Sequence, residues 1–486
     1  MPHGGSSFDH DPPGAGGTFE SGRLRRLTPL AALTARAVGE AAGLALRGKL
    51  AGETATEFHV RTADRYAELF GHSKGALMKA GQMFSFVAAR FAAPELQSIY
   101  QTAFERLRSE APPMASELAR EVIEAELGER VEVAFSEFEW RPFAAASIGQ
   151  VHEARLHDGR AVAVKVQYPG VAEAILADLK NAELLATFLT FVVAGIFPQG
   201  QRLGLREAAQ EIGVHVEEEL DYRLEANNQS EFADYYRGHP FIHVPDVVRE
   251  LCTDRVLTQE LVRGWSWKEA LAAEQDLRDR WAEAIHRFLY GSMYRLQRLN
   301  ADPHPGNFVF HEDGSVSCLD FGNVKRFRRE PAEMLLAIFR ACLRNDVLGT
   351  WRASVEAGMW RSSDPVTPEE VFAYWREDNA LTWGASERFV ASPDYVARGI
   401  ARRYSPTGPS AKALRYCTLP PELTLLARVE VGLTSLIGRL RAGNDWGSFV
   451  AEYCTDAEPI TEMGKRERAF LEQRGLAREP WSGDTR

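Results

Sequence analysis

The sequence predicts an α+β protein of two lobes, a small β-rich lobe followed by a larger helical one, behind an N-terminal helical extension. Between residues 129 and 262, short runs rich in β-branched and aromatic residues alternate with turn residues. From residue 263 to 463 apolar residues recur at intervals of three and four, the helical period. The stretch 23–128 shows that period too, punctuated by Pro29, Gly71, Pro94, Pro112 and Pro113. Residues 1–22, rich in Gly, Pro, Ser and Asp, are expected to form a disordered tail, and residues 464–486, charged and bearing Gly, Pro and Ser, a flexible one.

Element by element, the helical extension stops at Leu127-Gly128, a helix-end signal. Val131 to Trp140 reads as strand. Ala146 to Leu156 and Ala161 to Gln167 read as two strands of a hairpin, because Asp158-Gly159 supplies a tight turn between them. Helices are expected over Ala172 to Phe197 and Leu205 to about Phe232, then strands at Phe241 to Val248 and Arg255 to Leu261. Asp276 to Leu299 reads as one long helix. Phe308 to Phe310 and Val316 to Leu319 form a short strand pair around Glu312-Asp313-Gly314, and helices dominate from Pro331 to about Tyr453.

Composition sets outer bounds. The 486 residues carry 45% apolar and 26% charged side chains, as an ordinary globular protein does. A net charge of −11 argues against bulk nucleic-acid binding, so no nucleic-acid partner is expected. Cys252, Cys318, Cys342, Cys417 and Cys454 lie too far apart for a zinc spacing or a disulfide framework, which favours a reducing, cytoplasmic setting. The longest apolar run, Leu184 to Phe197, is too short to cross a bilayer, which takes roughly 20 residues; a buried helix is expected there.

Three short motifs carry the chemistry. Val162-Ala163-Val164-Lys165 is an apolar strand ending in a lysine that can reach nucleotide phosphates. Asp302-Pro303-His304-Pro305-Gly306-Asn307 sets an aspartate five residues before an asparagine in a rigid Pro/Gly loop; the aspartate can take a proton or orient a water, and the asparagine can hold Mg²⁺. Asp320-Phe321-Gly322 follows thirteen residues past Asn307, at a strand end, where its carboxylate can bind metal. Any of these alone arises readily by chance. In this order and context they define a protein-kinase-like two-lobed fold that takes ATP or ADP with Mg²⁺. A glutamate partner for Lys165 is expected within Glu217 to Asn228. Glu217, Asp221 and Glu225, spaced by four, would share a helix face, either as a solvated acidic surface or as a stripe facing cations.

These pieces, with Lys79-Ala80-Gly81-Gln82, Ala144-Ala145-Ala146-Ser147-Ile148-Gly149-Gln150-Val151-His152, Glu219-Leu220-Asp221-Tyr222 and Leu419-Pro420-Pro421-Glu422-Leu423, resemble the UbiB-like (AarF) atypical kinase family, associated with quinone biosynthesis. The resemblance runs from about Lys79 to Val324. It implies that Lys165 contacts the phosphates and pairs with Glu225, that Asn307 and Asp320 bind Mg²⁺, and that Asp302 occupies the catalytic-base position. It implies that Ala144, Ala145, Ala146 and Ser147 form the phosphate loop, and that Gln259 to Val262, with Glu260 and Val262, form the hinge meeting adenine. Lys79 and Gln82 would fold over the site in a regulatory role, with Lys79 pairing to the Glu219/Asp221 motif.

Two features set the chain apart from ordinary protein kinases. Alanines stand where a glycine-rich loop is usual, and their methyl groups restrict the backbone. Only eight residues separate Gly322 from Pro331, with no Ala-Pro-Glu motif after them, which leaves little room for a substrate-docking activation loop. The expected activity is therefore ATP hydrolysis in quinone or isoprenoid-lipid biosynthesis or handling. The alternative is a protein or small-molecule kinase, and a non-catalytic nucleotide-binding scaffold is a further rival. Leu27 to Leu50, apolar and Arg-flanked, suits either peripheral contact with an anionic membrane at its inner face or packing on the kinase-like lobe. Membrane lipid or quinone precursors are the candidate partners beside the nucleotide.

Overall fold

A computed structural model describes residues 113–146, 148–173, 220–327, 329–376, 388–404, 410–418, 420–455 and 457–476, with 61, 65 and 218 besides. The expected N-terminal tail, most of the helical extension, the apolar run Leu184 to Phe197, Lys79, Gln82, Ser147, Glu217 and Glu219 lie outside the described residues.

The small lobe is built on a five-stranded antiparallel sheet in the order β1-β3-β4-β6, with β2 also pairing β3. The strands are β1 (Glu137–Phe138), β2 (Ala144–Ala145), β3 (Gly149–Arg155), β4 (Ala161–Gln167) and β6 (Val256–Glu260). The β3–β4 hairpin sits where the sequence places it, and Gly159 takes a φ of 90° in its turn, a conformation that favours glycine. Gly149 meets a different need: a Cβ there would fall 2.2 Å from the Val166 carbonyl oxygen across the ladder. Val162, Val164 and Val166 point into the core, so Lys165 is directed to the opposite face by strand alternation. Ahead of the sheet lies α1 (Ser116–Leu127), closed by Gly128 with φ 72°. Val131–Ala134, expected as strand, is instead one short helical turn, α2; the β-branched content of four residues is overridden by packing of buried Val131 and Ala134.

The helix carrying Glu225 is α3 (Tyr222–Tyr236). It corrects the expectation of an unbroken helix from Leu205. Asp221 is extended, with φ −105° and ψ 94°, and its side chain accepts the Leu224 N–H as N-cap. Asp221 therefore starts this helix and shares no helical face with Glu225.

In the larger lobe α4 (Trp267–Leu271) and α5 (Gln275–Gly291) come first. The apolar face of α5 presents Trp281, Ile285 and Phe288 to the main core, beside Phe310 and Phe321. The long helix expected to Leu299 is corrected here: it passes into a π-helical turn over Ser292–Leu296, turns at Gln297 with φ 56°, and leaves as β7 (Arg298–Asn300). Strands β8 (Phe308–Phe310) and β9 (Val316–Cys318) form the expected pair, with β5 (Ile242–His243) parallel to β9. β10 (Val324–Arg326) pairs antiparallel with β7.

Helices follow as α6 (Arg329–Leu343), α7 (Val347–Glu356), α8 (Pro368–Arg376), α9 (Pro393–Tyr404), α10 (Ala411–Tyr416), α11 (Pro421–Leu440) and α12 (Trp446–Thr455), with a small pair β11 (Phe389–Val390) and β12 (Gly443–Asn444) between them. The first part of the segment expected to be loose from Gly464 is helical: α13 (Glu462–Gln473) buries Met463, Glu467, Phe470 and Leu471. Its charge density resembles a solvated tail, yet one of those charges is an anchor. Glu467 receives Arg287 Nη1 at 2.9 Å and Arg295 Nη1 at 2.9 Å inside the lobe.

Candidate functional site

The site forms where the sheet, α3 and the β7–β10 segment converge. Lys165 Nζ donates to both carboxylate oxygens of Glu225 at 2.8 Å, bridging strand and helix across sixty residues of chain. It lies 3.7 Å from Asp320 Oδ2 and 4.7 Å from the centroid of the buried Tyr222 ring. Burial opposes the lysine's charge, but the carboxylates of Asp320 and Glu225 outweigh it and hold the ammonium well above its ordinary pKa. Glu225 is buried in the first turn of α3, where the helix dipole also favours its negative charge. Lys165 is thus a cation fixed between Glu225 and Asp320.

The Asp302 loop is stiffened from within. His304 N–H donates to the Asp302 carbonyl at 2.7 Å, and Pro305–Asn307 form a single 3₁₀ turn. Asn307 Nδ2 donates to the Asp302 carbonyl and to Asp302 Oδ2, each at 3.0 Å. That commits its amide hydrogens inward and leaves its amide oxygen for a cation. The β8–β9 ladder pairs Phe308 with Cys318, and Leu319 N–H donates to the Asn307 carbonyl at 2.9 Å, so Asn307 and Asp320 are brought side by side just beyond the strand ends. Asp320 Oδ1 accepts the Gly322 N–H at 3.0 Å while the side chain stays partly exposed.

Mg²⁺ is usually held by one or two protein oxygens plus phosphates and water rather than by an all-protein cage. One carboxylate and one amide oxygen fit that requirement. Among the described residues no cluster of three or more His, Cys, Asp or Glu side chains is arranged to hold a metal by itself.

The alanine loop lies at the sheet's open edge. Ala144 and Ala145 are exposed and pair with Val151 and Gln150, and Ala146 N–H closes the turn onto the Gly149 carbonyl at 2.9 Å. At the other end of the sheet, Glu260 N–H donates to the Asp246 carbonyl at 2.8 Å, and its carboxylate meets His243 at 3.1 Å. The Glu260 side chain and amide N–H are therefore already occupied, and Val262 lies two residues further on, beyond the end of β6. Lys325, on β10, reaches Glu218 in an ion pair beside the expected acidic motif.

Two supporting residues, Asn300 and Asn228, are not evident from the sequence motifs. Asn300 is buried, donates to the Asp320 carbonyl at 2.8 Å and accepts the Asp302 N–H at 3.1 Å. Asn228, one helical turn past Glu225, donates to the Phe321 carbonyl at 3.1 Å. Phe321 itself packs on Phe232 of α3 and Phe288 of α5, with ring centroids 4.9 and 6.3 Å apart. The only signal in the sequence is a polar residue within an apolar stretch next to a motif.

A β-rich lobe and a helical lobe around a Lys–Glu pair, an Asp/Asn loop and a strand-end Asp define a kinase-like architecture. The model of the ABC1 atypical kinase-like domain matches residues 106–353, and the chain belongs to that family. It is similar to the rat atypical kinase COQ8B, mitochondrial, with 34% identity over 285 residues, covering 58% of this chain and 52% of the relative. Against the atypical kinase COQ8, mitochondrial, of Saccharomyces cerevisiae the identity is 27% over 382 residues, covering 78% of this chain and 73% of the relative. The chain thus spans about half the length of the rat relative. The structure of the Rv3197–erythromycin complex from Mycobacterium tuberculosis superposes with a TM-score of 0.59 at 26% identity, covering 77% of this chain and 94% of that one.

Proposed function

We propose that the chain binds a Mg²⁺–nucleoside triphosphate and hydrolyses it, in support of the biosynthesis or handling of quinone or isoprenoid lipids. In this reading Lys165 holds the phosphates, Glu225 orients Lys165, Asn307 and Asp320 hold Mg²⁺, and Asp302 takes the proton of, or orients, the attacking water. Ala144 to Ser147 would cover the phosphates, and the backbone around Glu260 and Val262 would meet adenine. The lipid connection is what the resemblance to the UbiB-like family implies. A peripheral membrane location fits the same reading, and no described helix is long and apolar enough to cross a membrane.

The observation that favours hydrolysis over protein phosphorylation is the path after Gly322. Val324–Arg326 is taken at once into the pair with β7, and α6 begins at Arg329. Among the described residues, a peptide substrate therefore finds no extended segment after Gly322 to dock on beside Asp302.

The test is phosphate release from Mg-ATP by the purified chain, with and without anionic liposomes and a quinone-like phenol, set against label transfer to candidate protein acceptors. Expected are Mg-dependent release, stimulation by lipid and phenol, and loss of both nucleotide binding and release in Asp320→Asn. Transfer to a protein at rates far above phosphate release would overturn the reading in favour of a protein kinase.

A further inference from the structure

The catalytic loop is held from outside by a contact that the motifs do not include. Gly432 lies in the interior of α11 (Pro421–Leu440), where glycine weakens a helix relative to alanine. Its left-out side chain has a steric reason. A Cβ at Gly432 would fall 2.5 Å from Cγ of Pro303, 3.5 Å from its Cδ and 3.6 Å from its Cβ. Pro303 directly follows Asp302, and its ring cannot fold away as a flexible side chain would.

Nor can the helix retreat. Val429, Leu433, Leu436 and Ile437, on the turns around Gly432, are buried in the main core. An added methyl group must therefore be absorbed by the loop. Within that loop Asp302 and Asn307 are joined by two hydrogen bonds of 3.0 Å. A shift at Pro303 moves both together.

We propose that Gly432 is a positioning residue for Asp302 and Asn307: its missing side chain lets α11 bear directly on the Pro303 ring and so fixes where the loop's carboxylate and amide oxygen lie. This rests on the reading that the loop acts on a Mg-nucleotide.

The experiment compares the parent chain with Gly432→Ala, Pro303→Ala and the double variant. Phosphate release is read from Mg-ATP, and separately the Mg²⁺ concentration for half-maximal nucleotide binding. Gly432→Ala is expected to fold, because the helix gain from alanine offsets part of the cost of the displaced loop, yet to lose about tenfold or more in turnover at temperatures well below its melting point, the scale expected of a sub-ångström to ångström misplacement. Its Mg²⁺ requirement is expected to rise several-fold. Removing the ring in the double variant should restore most of both losses, and because turnover and Mg²⁺ requirement are read where every variant is folded, a change in stability alone would move neither.

Parental turnover and Mg²⁺ requirement in Gly432→Ala, or a double variant no better than Gly432→Ala, would overturn the inference. Should Gly432→Ala not fold, Pro303→Ala reads the contact from its other side: it leaves the helix intact and should lower turnover, and parental turnover and Mg²⁺ requirement there would overturn the inference. A parent that releases no phosphate counts against hydrolysis; the Mg²⁺ measurement then still decides the role of Gly432, a rescued shift supporting it and an unchanged requirement overturning it.

Discussion

Asn300 and Asp320 are joined by a hydrogen bond of 2.8 Å, from the Asn300 side chain to the Asp320 main-chain carbonyl. The same side chain accepts the Asp302 N–H at 3.1 Å, so one buried amide ties the proposed base to the proposed metal ligand. Asn300→Ala removes one hydrogen-bond partner each from the part-buried Asp302 N–H and Asp320 carbonyl, at a cost of about 1–3 kcal/mol in all. Denaturant unfolding should show that loss. Asn300→Asp keeps the acceptor for Asp302 but loses the donor to Asp320, so its Mg²⁺ requirement for nucleotide binding should rise. Equal Mg²⁺ titrations in Asn300→Asp and parent would show that the bond does not position Asp320.

The Lys165–Glu225 pair predicts a resistance to base. Burial works against the ammonium, yet Asp320 and Glu225 raise its pKa well above 10.5. A group raised in the folded state contributes stability that is complete below its unfolded pKa and is lost as pH rises through the folded value. Lys165 therefore stays charged throughout the neutral and mildly alkaline range. Amine acylation at about pH 9, followed by peptide mapping, should modify Lys165 far more slowly than exposed Lys268 or Lys412, because acylation needs the free amine. Glu225→Gln should speed it. Removing Lys165 instead takes the ammonium away from a buried carboxylate, and Lys165→Met should cost about 3–5 kcal/mol, read from urea unfolding.

Much of this arrangement is legible in the sequence because its determinants are local. The β3–β4 hairpin follows from Asp158-Gly159 between apolar runs, and β8 and β9 follow from Glu312-Asp313-Gly314. What the sequence conceals depends on distant partners. Asp221 reads as one more member of an acidic helix face, but its capping role depends on how the chain arrives there. The π turn at Ser292–Leu296 is hidden within an unbroken helical period. α13 reads as a charged tail because nothing near Glu467 announces Arg287, which lies 180 residues earlier. Gly432 looks like a helix defect until Pro303 is placed against it.

Acid sensitivity should come in part from His286. Burial, and next the charge of Arg287, lower its pKa from 6.5 to about 3. Its ring stacks on Tyr290 at 4.6 Å, and its Nδ1 has no hydrogen-bond partner among the described residues. The unfolded chain takes up the proton first as pH falls through about 6.5, so stability is full above that value and declines toward the folded pKa. His239, lowered by burial to about 4, acts in the same direction. Raised Glu283 opposes them where it titrates above 4.5. His286→Phe should flatten the fall in unfolding free energy between about pH 6.5 and 4, and raise stability at pH 5 more than at pH 7. Parallel curves for parent and variant would rule out a titrating His286 as the cause.

Arg287 should be the most costly single position in the larger lobe. Its guanidinium is fully buried and donates to Glu283 at 2.8 Å, to Glu452 at 2.7 and 3.0 Å, to Glu467 at 2.9 Å and to Thr461 at 3.2 Å. These partners stand on α5, on α12, on α13 and on the residue that caps α13, so one cation fastens three helices. Arg287→Met removes the charge and keeps most of the apolar volume, but among the described residues it leaves Glu283 and Glu452 without a cationic partner, while Glu467 keeps Arg295. The expected loss is about 3–5 kcal/mol. Because Glu467 is held by both arginines, α13 should loosen before the rest of the lobe, and hydrogen exchange should quicken first in Glu462–Gln473. Glu467→Gln, which removes one of the carboxylates and keeps the shape, should partly restore Arg287→Met. A double variant weaker than Arg287→Met alone would mean that apolar packing of α13, through Phe470 and Leu471, rather than the buried charge balance, holds this helix in place.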